Sequence, residues 1–150
     1  MRALLQRVQY ADVTVDGQIV GAIDRGILTL IGIIDSDTDD DIQWLRKKIV
    51  QARIFDDEHG VMNLSVRDVD AEILAVSQFT LYASTRKGNR PSYAAAARPE
   101  FAEPFFARFV EQLAQTLGKN IPTGIFGANM KVRLCNDGPV TLWLDSKARE

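Results

Sequence analysis

Two short segments combine polar side chains with special backbone residues in ways that suit chemistry. The first is Ser77-Gln78-Phe79-Thr80-Leu81, where three polar side chains close an apolar run. Polar groups at the end of a buried strand need hydrogen-bond partners or a ligand, and the residues alone leave both readings open. The second is Asn136-Asp137-Gly138-Pro139-Val140-Thr141, where glycine permits unusual dihedral angles and proline fixes φ. Taken alone, the second segment indicates a hairpin turn.

Conventional catalytic and metal-binding residues are scarce, because the chain has one histidine and one cysteine. Together they cannot supply a structural zinc site, and one cysteine cannot form an internal disulfide, which suits a reducing compartment. His59 lies in a polar turn over residues 56–60 and is expected at the surface. Cys135 lies in an apolar strand, where packing is its expected role. We expect no cofactor and no metal.

The elements that must position these segments are predicted from apolar periodicity and turn signals. Seven strands are expected on this basis. The Asp16-Gly17 pair favours a type I′ turn between the second and the third of them. Residues 137–139 are predicted to join the last two strands as a turn. The predicted strands are Arg2–Val8, Val13–Val15, Ile19–Ile23, Gly26–Ile34, Ile73–Leu81, Met130–Asn136 and Val140–Leu144.

Helices are predicted at three places. The aspartates of 35–41 favour a helix start with Asp37 or Thr38 as N-cap, since the spacing of an EF-hand loop is missing. That helix is expected to extend to Ile54, with Ile42, Leu45 and Ile49 on its buried face. Residues 93–98 are alanine-rich and predicted to be helical. Pro99 is expected to open a last helix that runs to Leu117 with Gly118 as its C-cap, and Pro104 leaves open where that helix begins.

Charge is segregated along the chain. The net charge of −2 argues mildly against a nucleic-acid partner. Residues 73–99 nevertheless contain no Asp or Glu, and they carry Arg86, Lys87, Arg90 and Arg98. Such a locally basic rim can contact phosphates, although chance clustering on solvated faces remains an alternative.

Segments 77–81 and 136–141 together resemble the two signature motifs of the D-aminoacyl-tRNA deacylases. Residues 86–92 and 123–130 also resemble that family, and the likeness covers essentially the whole chain. Neither motif departs from the family pattern. The resemblance implies a mixed α/β fold, with an antiparallel barrel-like sheet and two or three helices packed outside it. The length of the chain separately predicts one domain over residues 1–150.

The activity implied by the resemblance is hydrolysis of the ester between a D-amino acid, or misattached glycine, and the terminal adenosine of tRNA. The expected partners are therefore D-aminoacyl-tRNA and glycyl-tRNA. The family forms homodimers with composite active sites, in which a cis Gly-Pro peptide enters the partner's pocket and rejects L-amino acids. Carried over, these residues are Gly138 and Pro139, and Met130 and Asn136 complete the expected substrate-binding set. The tRNA-binding set is expected to be Arg86, Lys87 and Arg90.

Thr80 matches the threonine proposed as nucleophile in this family, but a threonine hydroxyl is weak without a base. We therefore expect Thr80 to position the substrate while water attacks. Backbone N–H groups near Phe79 and Thr80 would hold the oxyanion, and the ribose 2′-hydroxyl would assist. Gln78 and Ser77 would shape the pocket, with Phe79 and Met130 as its wall.

Two alternatives stay open at this stage. One is a non-catalytic RNA- or protein-binding domain of the same fold, and the other is an esterase for free D-amino acid esters. The first residues turn polar too soon for a signal peptide, and no apolar run approaches the ~20 residues of a membrane helix. A cytoplasmic location without membrane contact is therefore expected.

Overall fold

A computed structural model describes residues 1–149, which form one curled five-stranded sheet, a small two-stranded ribbon and two helices. This agrees with the predicted mixed α/β class. The strands are β1 (Arg2–Val15), β2 (Gln18–Ile23), β3 (Gly26–Gly32), β4 (Phe55–Asp56), β5 (Met62–Leu64), β6 (Glu72–Ser77) and β7 (Lys131–Asp145). The helices are α1 (Asp39–Gln51) and α2 (Pro99–Leu117), and a 3₁₀ turn spans Phe79–Tyr82. Neither α-helix within residues 1–149 is long and apolar enough to cross a membrane.

Strand β1 is the centre of the sheet, because it pairs with β2, β3 and β7 and all three lie antiparallel to it. Its two halves were predicted as separate strands, but the structure has one strand, because β7 pairs with both halves from Arg2 to Thr14. The turn from β1 to β2 has φ of 49° at Asp16 and 80° at Gly17. Positive φ at both central residues confirms the predicted turn.

Strand β3 is almost entirely buried and runs parallel to β6. A strand covered on both faces reads as a continuous apolar run, as predicted for this segment. Strand β6 ends at Ser77, four residues before the predicted end at Leu81, and the chain turns there into the 3₁₀ turn. The register places Ser77 opposite Ile31, so β3 fixes where the first motif leaves the sheet.

Both helices begin where local signals placed them. The N-cap of α1 is Thr38, whose backbone N–H donates to Asp41 Oδ2 at 2.8 Å. Ile42, Leu45 and Ile49 are fully buried, as predicted, although α1 ends at Gln51 and not at Ile54. Helix α2 runs from Pro99 to Leu117 with a left-handed Gly118 after it, and tolerates Pro104 in its second turn. Its buried face packs into the same core as α1.

Two predicted elements are wrong. Residues 93–98 form turns and bends and no helix, because Ala97 N–H donates to Ile33 O at 2.9 Å and ties the segment to the end of β3. The predicted final pair of strands is the single strand β7, since both halves pair with β1 in the same direction. Residues between Asn136 and Thr141 therefore bulge out of a continuous strand and do not reverse the chain.

Candidate active site

One cavity of about 560 Å³ lies where the first motif leaves the sheet. Three stretches of chain enclose it: the end of β6 with the start of the 3₁₀ turn, the segment leading into α2, and the loop before β7. Its lining is Ile31, Ile33, Val76, Ser77, Gln78, Phe79, Tyr93, Ala96, Ala97, Arg98, Pro99, Ala102, Phe126, Gly127, Ala128, Asn129, Met130 and Val132. Four residues of the predicted site are among them.

The polar floor of the cavity is the turn after β6. Gln78 N–H donates to Ile31 O at 2.7 Å, which anchors the turn to β3. The Gln78 side chain then donates from Nε2 to Thr80 Oγ1 at 2.6 Å. Phe79 and Thr80 open a 3₁₀ turn, where the first backbone N–H groups have no partner inside the helix. The local fold thus holds the threonine hydroxyl in place, although Thr80 itself is not among the residues that line the cavity.

Aromatic side chains form one side of the cavity mouth. The rings of Phe79 and Tyr93 meet edge to face, with centroids 5.0 Å apart. Phe79 is 56% exposed and Tyr93 is 40% exposed, so the two rings form a contiguous aromatic surface beside the cavity. Sequence reasoning named Phe79 but missed Tyr93 and Phe126. The position of Tyr93 directly before four alanines was the available signal, because small neighbouring side chains leave its ring exposed.

Met130, which was predicted to form part of the pocket wall, is among the lining residues. Its sulfur approaches Gly124 so closely that no β-carbon would fit between them. The glycine therefore lets the loop before β7 close onto the cavity. Asn129 lies beside Met130 in the lining and is the one amide there besides Gln78.

The Gly138-Pro139 segment lies outside this cavity and is exposed. Its peptide bond is cis, and Gly138 has φ of 124°. Asn136 braces the bulge, donating from Nδ2 to Arg7 O at 2.9 Å and to Val140 O at 3.0 Å. The structure therefore separates Asn136, Gly138 and Pro139 from the other predicted substrate-binding residue, Met130.

Arg7 is the buried support of the bulge, and sequence reasoning missed it. It is 7% exposed, and no residue of β7 is paired with it in the ladder. Its guanidinium donates to Asp137 O at 3.1 Å and to Ile54 O at 2.6 Å. Asp56 and Asp137 carboxylates lie 3.3 and 3.4 Å from it. Arg7 thus joins the bulge to the β4 region.

The predicted tRNA-binding residues lie on a separate exposed loop. Ser84 and Ser92 exchange backbone hydrogen bonds of 2.8 Å and close the loop at its base. Arg86, Lys87 and Arg90 are all exposed between them. The loop follows the 3₁₀ turn and precedes Tyr93, so it connects two parts of the cavity lining.

Titratable groups with shifted pKa values lie away from the cavity. Burial raises the pKa of Tyr82, and Asp37 and Asp145 add to the rise. Burial also opposes ionisation of Asp41, but hydrogen bonds from Lys147 and Ser146 outweigh it and hold the pKa of Asp41 well below 3.8. Both groups belong to a structural network at the chain termini.

Side chains for a metal do not converge in the part of the chain that the structure describes. Within residues 1–149, no three His, Cys, Asp or Glu side chains lie close enough to hold an ion. His59 is highly exposed beside Glu58, in the polar turn where it was predicted.

Comparison with known proteins gives consistent matches. The family model described as "D-Tyr-tRNA(Tyr) deacylase" matches residues 4–145. Proteins named D-aminoacyl-tRNA deacylase from Flavobacterium johnsoniae and Chromobacterium violaceum are 59% and 61% identical over 150 residues, covering all of both chains.

Solved structures give the same picture of the fold. A c-Myc DNA unwinding element binding protein superposes with a TM-score of 0.94 at 46% identity, over 99% of this chain and 100% of that one. A probable eukaryotic D-amino acid tRNA deacylase superposes with a TM-score of 0.81 at 18% identity, over 95% and 97% of the two chains. At that identity the second match speaks for the fold alone.

Proposed function

Because the chain belongs to the D-Tyr-tRNA(Tyr) deacylase family, we propose that it is a hydrolase that releases D-amino acids and glycine from tRNA. The bond cleaved is the ester between the amino acid and the terminal adenosine. The main support for this function is the cavity at Ser77, Gln78 and Phe79, which combines a polar floor with apolar and aromatic walls. Such a site suits a flat base and a small polar ester.

The proposed chemistry uses water and the substrate's own groups. The amino acid's ammonium group already activates the ester carbonyl, so the barrier is dominated by charge on the tetrahedral oxygen. The N–H groups of Phe79 and Thr80, at the open end of the 3₁₀ turn, are the proposed donors to that oxygen. The ribose 2′-hydroxyl assists the proton transfers, because within residues 1–149 the cavity lining contains no histidine or carboxylate.

Thr80 acts as a positioning residue in this mechanism. Its hydroxyl accepts the Gln78 hydrogen bond, and the cavity lining offers no base to deprotonate it. Thr80→Ala should lower kcat on D-tyrosyl-tRNA by roughly 10- to 100-fold, the cost of one positioning contact. A loss beyond about a thousandfold, or a covalent acyl group trapped on Thr80, would show that it is the nucleophile. Thr116→Ala, a hydroxyl removed from α2, is the matched control.

Gly138 and Pro139 are proposed to reject L-amino acids in the cavity of a second copy. The segment is exposed, lies outside its own chain's cavity, and is braced by Arg7 and Asn136. Backbone held at the chiral centre leaves no room for an L side chain, whereas glycine has none to reject. This gives chiral proofreading that tolerates many side chains.

A homodimer with composite sites follows from that arrangement, and subunit mixing tests it. Light scattering should give twice the mass of one chain. An equal mixture of Gln78→Ala and Gly138→Ala chains should regain about a quarter of the wild-type selective activity, since about half of the reassorted dimers are mixed and each mixed dimer holds one intact site of two. A monomer, or mixing without recovery, would contradict the composite site.

Arg86, Lys87 and Arg90 are proposed to contact the tRNA backbone, which the exposed loop beside the cavity makes possible. Affinity for tRNA should fall steeply as salt rises, because each phosphate contact releases counterions. A flat salt response would count against the loop.

Incubation with D- and L-tyrosyl-tRNA separates the candidate functions. D-selective release supports the deacylase, and tRNA binding without release would identify a non-catalytic domain. Rapid cleavage of D-tyrosine methyl ester that uncharged tRNA does not inhibit would identify a small-molecule esterase. With tRNA as substrate, we propose that the chain acts in the cytoplasm as a single domain.

A further inference from the structure

The cavity has an uneven distribution of charge. Arg98 is the one charged residue in its lining within residues 1–149, and no carboxylate accompanies it there. Apolar side chains, two amides and the hydroxyls of Ser77 and Tyr93 make up the rest. A lone cation in such surroundings favours an anionic ligand group close to it, because nothing in the lining neutralises the charge.

The backbone of Arg98 is fixed by hydrogen bonds, whereas its side chain is exposed. Its carbonyl accepts hydrogen bonds from Phe101 and Ala102 at 3.1 and 2.9 Å, which fixes it at the start of α2. The side chain is exposed, and within residues 1–149 its guanidinium forms no ion pair or hydrogen bond, although Glu100 is two residues away. Arg108, on the same helix, instead pairs with Asp39 at 3.3 Å.

We propose that Arg98 binds the phosphate that links the terminal adenosine of the substrate to the preceding nucleotide, a reading that rests on the proposed function. The aminoacyl end carries an ammonium group, which Arg98 would repel. Adenine and ribose are uncharged. The phosphate is therefore the one part of the terminal nucleotide that an arginine at the cavity favours, and a guanidinium suits it because it can donate two parallel hydrogen bonds.

The proposal also orients the substrate. With the ester at Ser77 and Phe79, the phosphate lies beside Arg98, on the α2 side of the cavity. From there the preceding nucleotides extend away from the cavity.

The first test is the effect of Arg98→Met on D-tyrosyl-tRNA hydrolysis. KM should rise about tenfold with kcat unchanged, because the contact is the same in the ground and transition states. The slope of log(kcat/KM) against log salt should become shallower by about 0.7, the loss of one single-stranded phosphate contact. Arg98→Lys should recover part of both effects. Arg108→Met, which removes an equal charge from within α2, should change neither.

The second test compares binding of adenosine and adenosine 5′-monophosphate by calorimetry. The unaltered protein should bind the monophosphate about tenfold more tightly, and Arg98→Met should make the two equal. Equal binding by the unaltered protein, equal weakening of both ligands by Arg98→Met, or no binding of either at millimolar concentration would overturn the proposal. Release of D-tyrosine from D-tyrosyl-tRNA by the unaltered protein is measured separately. Failure of the proposed activity and failure of the phosphate contact are therefore distinguishable.

Discussion

Replacing Arg7 by methionine tests whether one buried side chain holds the Gly138 bulge. Methionine keeps the apolar stem and removes every donor. Two carbonyls, Asp137 O and Ile54 O, then lose a charged donor at 3.1 and 2.6 Å. The Asp56 and Asp137 side chains are 48% and 36% exposed, so water replaces most of their ion pairing and those pairs add little.

The expected magnitude follows from the two carbonyls. A hydrogen bond from a charged donor contributes about 1.5 kcal/mol or more, so Arg7→Met should reduce the free energy of unfolding by roughly 3 kcal/mol. For a chain of this size, about 1 kcal/mol corresponds to about 3 °C in Tm, which gives a fall of about 9 °C. Arg53→Met is the control, because its hydrogen bond to Asn63 O is exposed.

The functional assay is the ratio of kcat/KM for D- and L-tyrosyl-tRNA at a temperature where both variants are folded. A β-carbon added to Gly138 would lie 2.9 Å from Arg7 Nη2, so the guanidinium packs directly against the Gly138 backbone. Without it the D-over-L ratio should fall at least about tenfold, while the rate on the D-substrate changes less. An unchanged Tm would refute the bracing role of Arg7. A lower Tm with an unchanged ratio would refute the link between the bulge and chirality.

Three further perturbations have defined outcomes. Gly138→Ala should lower stability by about 2 kcal/mol in urea unfolding, since φ is 124° and Val140 crowds the new β-carbon; Gly60→Ala, at positive φ in open space, should cost less. Asp41→Asn should lower stability at pH 7 by about 2 kcal/mol. The deficit should begin to shrink as pH falls below about 4 and disappear only when pH reaches the lowered pKa of the folded state, because a carboxyl with a lowered pKa stabilises the fold only while ionised. A deficit as large at pH 2 as at pH 7 would contradict this. Thr29→Val should raise Tm by about 3 °C, since the Thr29 hydroxyl is buried and has no hydrogen-bond partner among residues 1–149; a fall in Tm would show that the hydroxyl is satisfied.

Local signals predicted what local interactions determine. Asp16-Gly17 specified its turn, and Pro99 with Gly118 specified both ends of α2. In each case the residue's own backbone preference decides the outcome, so distant parts of the chain add nothing. The buried face of α1 followed from spacing for the same reason.

The errors arose where a distant segment decides the structure. The second motif reads as a hairpin until Arg7 and Asn136 are seen to hold it as a bulge against β1. The alanine-rich segment reads as a helix until Ala97 is seen hydrogen-bonded to Ile33. The cavity combined four predicted residues with Tyr93 and Arg98, which carry no motif and become meaningful only through their neighbours.

The pairing of β1 with β7 has a consequence for how the chain folds. Asp12 and Arg133 meet across this ladder although they are 121 residues apart in sequence. Closing so long a segment costs conformational entropy before the contacts between β1 and β7 can form. The fold therefore belongs with the topologies of high contact order, which refold in milliseconds to seconds. On the ribosome, β1 waits with one edge unpaired until β7 has emerged. During that interval β2 and β3 are the strands available to pair with β1, and hydrogen exchange along β1 should report the arrival of β7 as a late gain in protection.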